Sequence, residues 1–171
     1  MTLKKIQNKE QTQNVAYHIH DEILAAEKRL NLSLPVSYQK FLIKHEGELA
    51  PLGVDALAGL WLSPEELVTG EYWPGFNKLE KISEEPLKKG DIEKWLVIHQ
   101  SHHFQYFLVL DYRLTKINPS APPQVLLLKK EIKKEKNEIQ LIETFDSFDA
   151  FLEALNRHKN FRSAYLINGV I

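Results

Sequence analysis

The sequence predicts an α+β domain: an N-terminal helical corner, an antiparallel sheet of about four to six strands, and a C-terminal helix packed on that sheet. Three observations predict it. Apolar residues recur at three- and four-residue spacing from Val15 to His45, interrupted once at Leu34-Pro35. Two pairs of strand-like runs fill the second half, and a helix-start signal follows them near Ser147.

The first helix is expected over about Gln11 to Leu30. Val15, Ile19, Ile23, Ala26 and Leu30 form a single apolar stripe, and Asp21, Glu22, Glu27, Lys28 and Arg29 fall largely off it, toward water. "NLSLP" then breaks the pattern. Proline disfavours helical geometry in the residue before it but is well placed in the first turn of a new helix, so Leu34 is extended and Pro35 opens the second helix. Tyr38, Phe41, Leu42 and His45 share a face of that helix, and Gly47 supplies a left-handed cap. Leu32 and Leu34 are the expected wedges of the corner.

A strand is expected at 56–62. "SPEELVTG" reads as a short helix, with Ser63 as N-cap, Pro64 in the first turn, Glu66 closing a capping box and Gly70 ending it. Residues 71–92 read as irregular surface with room for one short helix. "WLVIHQ" (95–100) and "FQYFLVLDY" (104–112) form one pair of strands across "SHH". "QVLLLKK" (124–130) and "EIQLIET" (138–144) form another across the charged tip "EIKKEKN". The last helix begins near Ser147, capped by Ser147 or Asp146, with Phe148, Phe151, Leu152 and Leu155 on one face. One domain over 1–171 is expected, with 1–12 flexible and 158–171 as an extension whose apolar end "AYLINGVI" packs internally, adds an edge strand or forms a homodimer edge.

Bulk properties narrow the function. With 171 residues, 43% of them apolar, the chain buries roughly 70% of its unfolded surface and needs no metal or disulfide for stability. There is no cysteine, which removes disulfides, thiol nucleophiles and thiolate zinc sites. The N-terminus lacks an apolar core after its lysines, so no secretory signal is expected, and no apolar run is long enough to span a bilayer. With 22 basic and 23 acidic residues there is no global basic excess, and direct nucleic-acid binding is not expected.

"AEKRLNLSLPVSYQKFLIKHEGE" resembles the opening of the SUKH superfamily. Glu27, Leu30, Leu34, Pro35, Tyr38, Phe41, Leu42 and Gly47 match its motif. Asn31 stands where glycine is common, and "HEG" at 45–47 replaces the usual Asn-Gly-Gly. "LVLDY" at 108–112 and "TFDSFDAFLEAL" at 144–155 agree with the family's later layout, so the resemblance covers roughly 15–157. It implies an α+β binding module. Many bacterial members are immunity proteins that bind a secreted or contact-delivered toxin inside the producing cell. Others include a yeast cell-wall assembly regulator, a bacterial secretion-associated protein and herpesviral proteins.

Catalytic chemistry has no motif here: neither GxSxG, nor a glycine-rich phosphate loop, nor HExxH occurs. His18 and His20 are two apart on a helix and point in different directions. His99, His102 and His103 converge only if the hairpin turn brings them together, and no carboxylate lies at ligand spacing in that turn. Asp111, Glu143, Asp146 and Asp149 read as strand-end and helix-start residues. No catalytic residue, metal or cofactor is therefore expected. Candidate partner-binding residues are Tyr72, Trp73 and Phe76 in "EYWPGF", Glu84 and Glu85, and His102 and His103. The expected function is cytoplasmic, non-enzymatic capture of a toxin domain encoded nearby. A regulatory or scaffold protein with a cellular protein partner is the alternative, and a small-ligand domain with a deep apolar pocket is a third reading.

Overall fold

The computed structural model describes residues 18–45, 59–74, 76, 79, 81–83, 85–88, 90–101, 106–117, 120–133 and 136–157. Val15, Gly47 and the apolar tail lie outside them. Helix α1 is described over residues 18–30 and α2 spans Val36–His45. Strands β1 (Gly59–Trp61), β2 (Val68–Thr69), β3 (Lys81–Ile82) and β4 (Glu85–Pro86) follow. Long strands β5 (Trp95–Ser101), β6 (Tyr106–Asp111), β7 (Gln124–Lys133) and β8 (Lys136–Phe145) precede helix α3 (Phe148–Arg157).

Six strands form one antiparallel sheet in the order β1-β5-β6-β7-β8, with β2 also paired to β5. Trp61 faces His99 and Val68 faces Val97, so β1 and β2 lie along the same edge of β5. Every residue of β5 and β6 is buried, as is Val125–Leu128 of β7. That explains the unbroken apolar runs "FLVL" and "VLLL", because strands covered on both faces lose the period-two alternation. On one face, Trp95 and Phe107 meet Phe76, edge-to-face at 6.1 and 5.3 Å. On the other, Trp61 packs on His99 and Phe41, while α3 sets Phe151 against Phe145 at 5.3 Å. Tyr38 and Phe41 of α2 close that layer against Phe148. Each fully buried ring or aliphatic side chain contributes about 2 kcal/mol, which outweighs any surface ion pair in the molecule.

The corner is built by hydrogen bonds. Asn31 adopts φ +52°, and the Leu32 N–H donates to the Glu27 carbonyl at 3.2 Å, a Schellman ending of α1. Asparagine tolerates this left-handed geometry, which accounts for its place where glycine is common. Glu27 and Arg29, expected to face water, turn back onto the protein instead. The Glu27 carboxylate accepts from the Leu34 N–H at 2.6 Å and from the Gln39 side-chain amide at 3.1 Å. Gln39 also donates to the Leu34 carbonyl. Leu34 is buried as the wedge, and Leu32 is half-buried beside it.

Three expectations are corrected. The 63–70 segment is a single turn, not a helix. Its capping contacts form, since both the Ser63 N–H and hydroxyl donate to the Glu66 carboxylate at 2.9 Å. Beyond that turn, the β-branched pair Val68-Thr69 joins the β5 ladder, and the Arg29 guanidinium takes the carbonyls of Pro64, Glu65 and Leu67. Residues 71–92 were expected to lie wholly at the surface; most described ones do, but Phe76 and Ile82 are buried and cover the sheet's second face. Ser83 fastens the β3–β4 hairpin to β8: its hydroxyl accepts from Leu141 N–H and its own N–H donates to the Ile139 carbonyl. No Asn-Gly or Asp-Gly marks that hairpin; Ser83 takes φ +51° in its place. Finally, the charged tip is shorter than expected, because the β7–β8 ladder runs out to Lys133 opposite Lys136. The Ser147 hydroxyl accepts from Ala150 N–H, making Ser147 the cap of α3.

Three substitutions at two positions separate the devices of the corner. Glu27→Ala strips the acceptor from the Leu34 N–H and is expected to cost about 2 kcal/mol. Asn31→Gly is expected to stay within about 0.5 kcal/mol of the parent, whereas Asn31→Val loses about 1–2 kcal/mol to left-handed strain. Urea midpoints measure all three; equal effects for glycine and valine at position 31 would contradict the capping account.

Candidate partner-binding surface

Of the aromatic candidates only Tyr72 presents its ring to solvent. It lies on the 3-10 turn Gly70–Tyr72 and is 75% exposed. Trp73 is half-buried and edge-on to Phe107 at 6.4 Å. Phe76 is 1% exposed and belongs to the core, so it offers nothing to a partner. Glu85 pairs with Ile82 in the β3–β4 ladder, and Glu84, His102 and His103 lie outside the described residues. The Tyr72 turn sits directly on the next 3-10 turn, Ile92–Lys94. A Cβ at Gly70 would lie 2.8 Å from Ile92 Cγ2 and 2.9 Å from its carbonyl oxygen, so only glycine permits the contact.

Beside these turns lies a groove of about 640 Å³ that sequence reasoning did not find. One wall is the corner itself, residues 30–37. The other combines Tyr112 with Pro122 and Pro123, and the rim carries Glu93, Lys94 and Asp149. Tyr112 ties the walls together. Its hydroxyl donates to the Ser33 carbonyl at 2.9 Å and its N–H to the Lys94 carbonyl at 2.9 Å. Burial and the nearby Glu27 charge push the Tyr112 phenol well above its ordinary pKa. "SAPP" and the corner are some ninety residues apart, and no periodicity announces that they meet.

Below the rim, Asp111 is 2% exposed and receives the Arg113 N–H at 2.9 Å and the Arg113 guanidinium at 2.7–3.0 Å. The guanidinium also lies 3.6 Å from Asp91 and stacks over Trp95, 5.4 Å from the ring centroid. Asp91 in turn caps the Lys88 N–H at 2.9 Å. Burial alone would lower the Arg113 pKa, but its bonds and charge pairing with Asp111 and Asp91 outweigh that and raise it. Asp111 is therefore committed to an ion pair. Elsewhere His18 pairs with Glu22 at 2.8 Å, and the His45 ring rests 4.9 Å from that of Phe41. Among the described residues no cluster of histidine, aspartate and glutamate is arranged to hold a metal ion.

A family model described as SMI1 / KNR4 family (SUKH-1) matches residues 20–154. The chain belongs to the SMI1/KNR4 family. No curated protein and no solved structure matches it significantly. The family is in general one of non-enzymatic binding proteins. No helix among the described residues is long and apolar enough to cross a membrane.

In this SUKH-1 chain the described motif residues all serve the scaffold. Glu27, Leu34 and Pro35 make the corner, Leu30 packs at its edge, and Tyr38, Phe41 and Leu42 enter the core. The Tyr38 hydroxyl has no hydrogen-bond partner among the described residues. Burial, with a smaller contribution from Tyr112, pushes its pKa far above the ordinary value.

Stability should accordingly fall in alkali. Both tyrosines have raised folded-state pKa values, so stability is complete below the unfolded value of about 10. Above it the unfolded chain ionises first, and each tyrosine forfeits about 1.4 kcal/mol per further pH unit. Tyr38→Phe should flatten this decline between pH 9 and 11 in urea titrations, and at pH 7 it should be neutral or stabilising by up to about 1 kcal/mol. A parallel decline in parent and variant would refute the assignment.

The buried ion pair gives a separate expectation. Arg113→Ala strands the Asp111 carboxylate and should cost about 3 kcal/mol, whereas Arg157→Ala, in an exposed pair with Glu153, should cost under about 0.5 kcal/mol.

Proposed function

We propose that the chain is a non-enzymatic immunity protein that binds and neutralises a secreted or contact-delivered toxin domain in the cytoplasm of the producing bacterium. The observation that carries this reading is the SUKH-1 match across residues 20–154, because the resemblance of the corner motif is to a superfamily rich in toxin-immunity members. The scaffold suits steric capture: a rigid two-sided core leaves its surface free for recognition. Tyr72 and the half-buried Trp73, with Glu84, Glu85, His102 and His103, are the proposed contact residues. Aromatic anchors contribute most to such interfaces, and charge complementarity sets on-rate and specificity.

A regulatory or scaffold role is the second reading, and the SMI1/KNR4 part of the family's description favours it.

Capture from the native host with the tagged chain as bait, in high salt, separates the two. Salt strips contacts held by charge alone and leaves a nanomolar complex intact. The immunity reading expects a large secreted protein retained through its C-terminal domain. Expression of that domain should arrest growth, and co-expression of this chain should restore it. A housekeeping partner, or a captured domain that stays toxic beside this chain, would move the assignment to regulation.

A further inference from the structure

We propose that the groove at the helical corner is the docking site for an extended, basic segment of a protein partner, whose apolar residue seats between the corner and the Pro122-Pro123 wall while a lysine or arginine meets the rim. This rests on the reading of the chain as a protein-binding module and gives that module a seat and a specificity.

The walls supply the apolar half. Val36, at the mouth, is 64% exposed although it begins a helix whose other face is in the core, and Leu114 is also exposed beside the lining residue Thr115. Neither is consumed by the fold. The groove's volume of about 640 Å³ is within the usual range for binding sites. Its lining is drawn from the corner, Thr69, residues 93–95, Tyr112 and Thr115, residues 121–123, and Asp149. An open cleft assembled from so many segments suits a strand of chain that presents side chains and backbone together.

The rim supplies the charge. Glu93 and Asp149 are exposed, and among the described residues neither enters an ion pair. Their neighbour Asp91 differs, being held by Arg113. Against Glu93 and Asp149, the described lining offers one cation, Lys94. Opposite charges across an interface accelerate association and reject acidic competitors, so the geometry favours a segment bearing lysine or arginine.

The test is a phage-displayed library of random dodecapeptides panned against the full chain at moderate salt. Enriched peptides are then measured on Glu93→Lys/Asp149→Lys and on Val36→Ser. All three sites are exposed, and unchanged melting temperatures confirm that the variants fold. The expected result is enrichment of sequences that place lysine or arginine beside an apolar residue. Their affinity should fall by about tenfold or more on the charge-reversed variant and measurably on Val36→Ser, and their binding should shift the amide resonances of Ser33, Ser37, Tyr112 and Thr115. No enrichment, enrichment of acidic or neutral sequences, equal binding to both variants, or shifts confined to another face would each overturn the proposal. Panning and capture from the host can fail separately: a toxin captured while panning fails leaves the immunity reading intact and removes the groove from it.

Discussion

Burial of the central strands on both faces is the constraint that the other parts of the molecule serve. Antiparallel sheets commonly wet one face, and their strands then alternate. Here β5, β6 and the centre of β7 are buried throughout, so two covers are required. Helices α2 and α3 provide one. The other comes from the stretch between β1 and β5, whose described elements are short: β2, β3, β4 and two 3-10 turns. Side chains therefore take over: Glu66 for Ser63, Asp91 for Lys88, Ser83 for Leu141 and Arg29 for three carbonyls. Most of these bonds lie at the surface; those from Arg29 to the Pro64 and Leu67 carbonyls are part-buried, where an unmet acceptor is costly.

The two covers are joined around the sheet rather than through it. Arg29 leaves α1 and fastens the 64–67 turn beside β5. Tyr112 leaves the end of β6 and holds the corner at Ser33, and Arg113 clamps Asp111 to Asp91 while lying over Trp95. The groove lies beside the Tyr112 brace, between the corner and Pro122-Pro123. The corner is pinned by Glu27 on one side, and Tyr112 is bonded to Ser33 and Lys94 on the other. Groups already held in this way leave a partner less to order on this side of the interface.

The sheet, the corner and α3 were legible in the sequence because each has a strong local signal: long apolar runs, proline after a helical stripe, serine before an aromatic helix. The second cover was not. Phe76 sits in a stretch of mixed charge, proline and glycine, and nothing local distinguishes a ring destined for Trp95 and Phe107 from one left on the surface. The 63–66 turn misled for a related reason. Its capping contacts are real, but β-pairing of Val68 and Thr69 won over helix propagation, a tertiary decision that propensity does not contain. The binding surface was the least legible part. The sequence marked Tyr72, Trp73 and Phe76 alike, and the groove depends on three distant stretches whose proximity only the fold creates.

That division has a functional consequence. The residues by which the chain resembles its family are spent on the corner and the core, where a change costs several kcal/mol. The groove's rim charges, Glu93 and Asp149, are exposed; substitution of Glu93 is expected to fall within about 0.5 kcal/mol, and that of Asp149, in the first turn of α3, within about 1 kcal/mol. A scaffold organised in this way can keep its corner while exchanging the charges around it. Membership in the family then fixes an architecture, and the architecture alone does not name the partner.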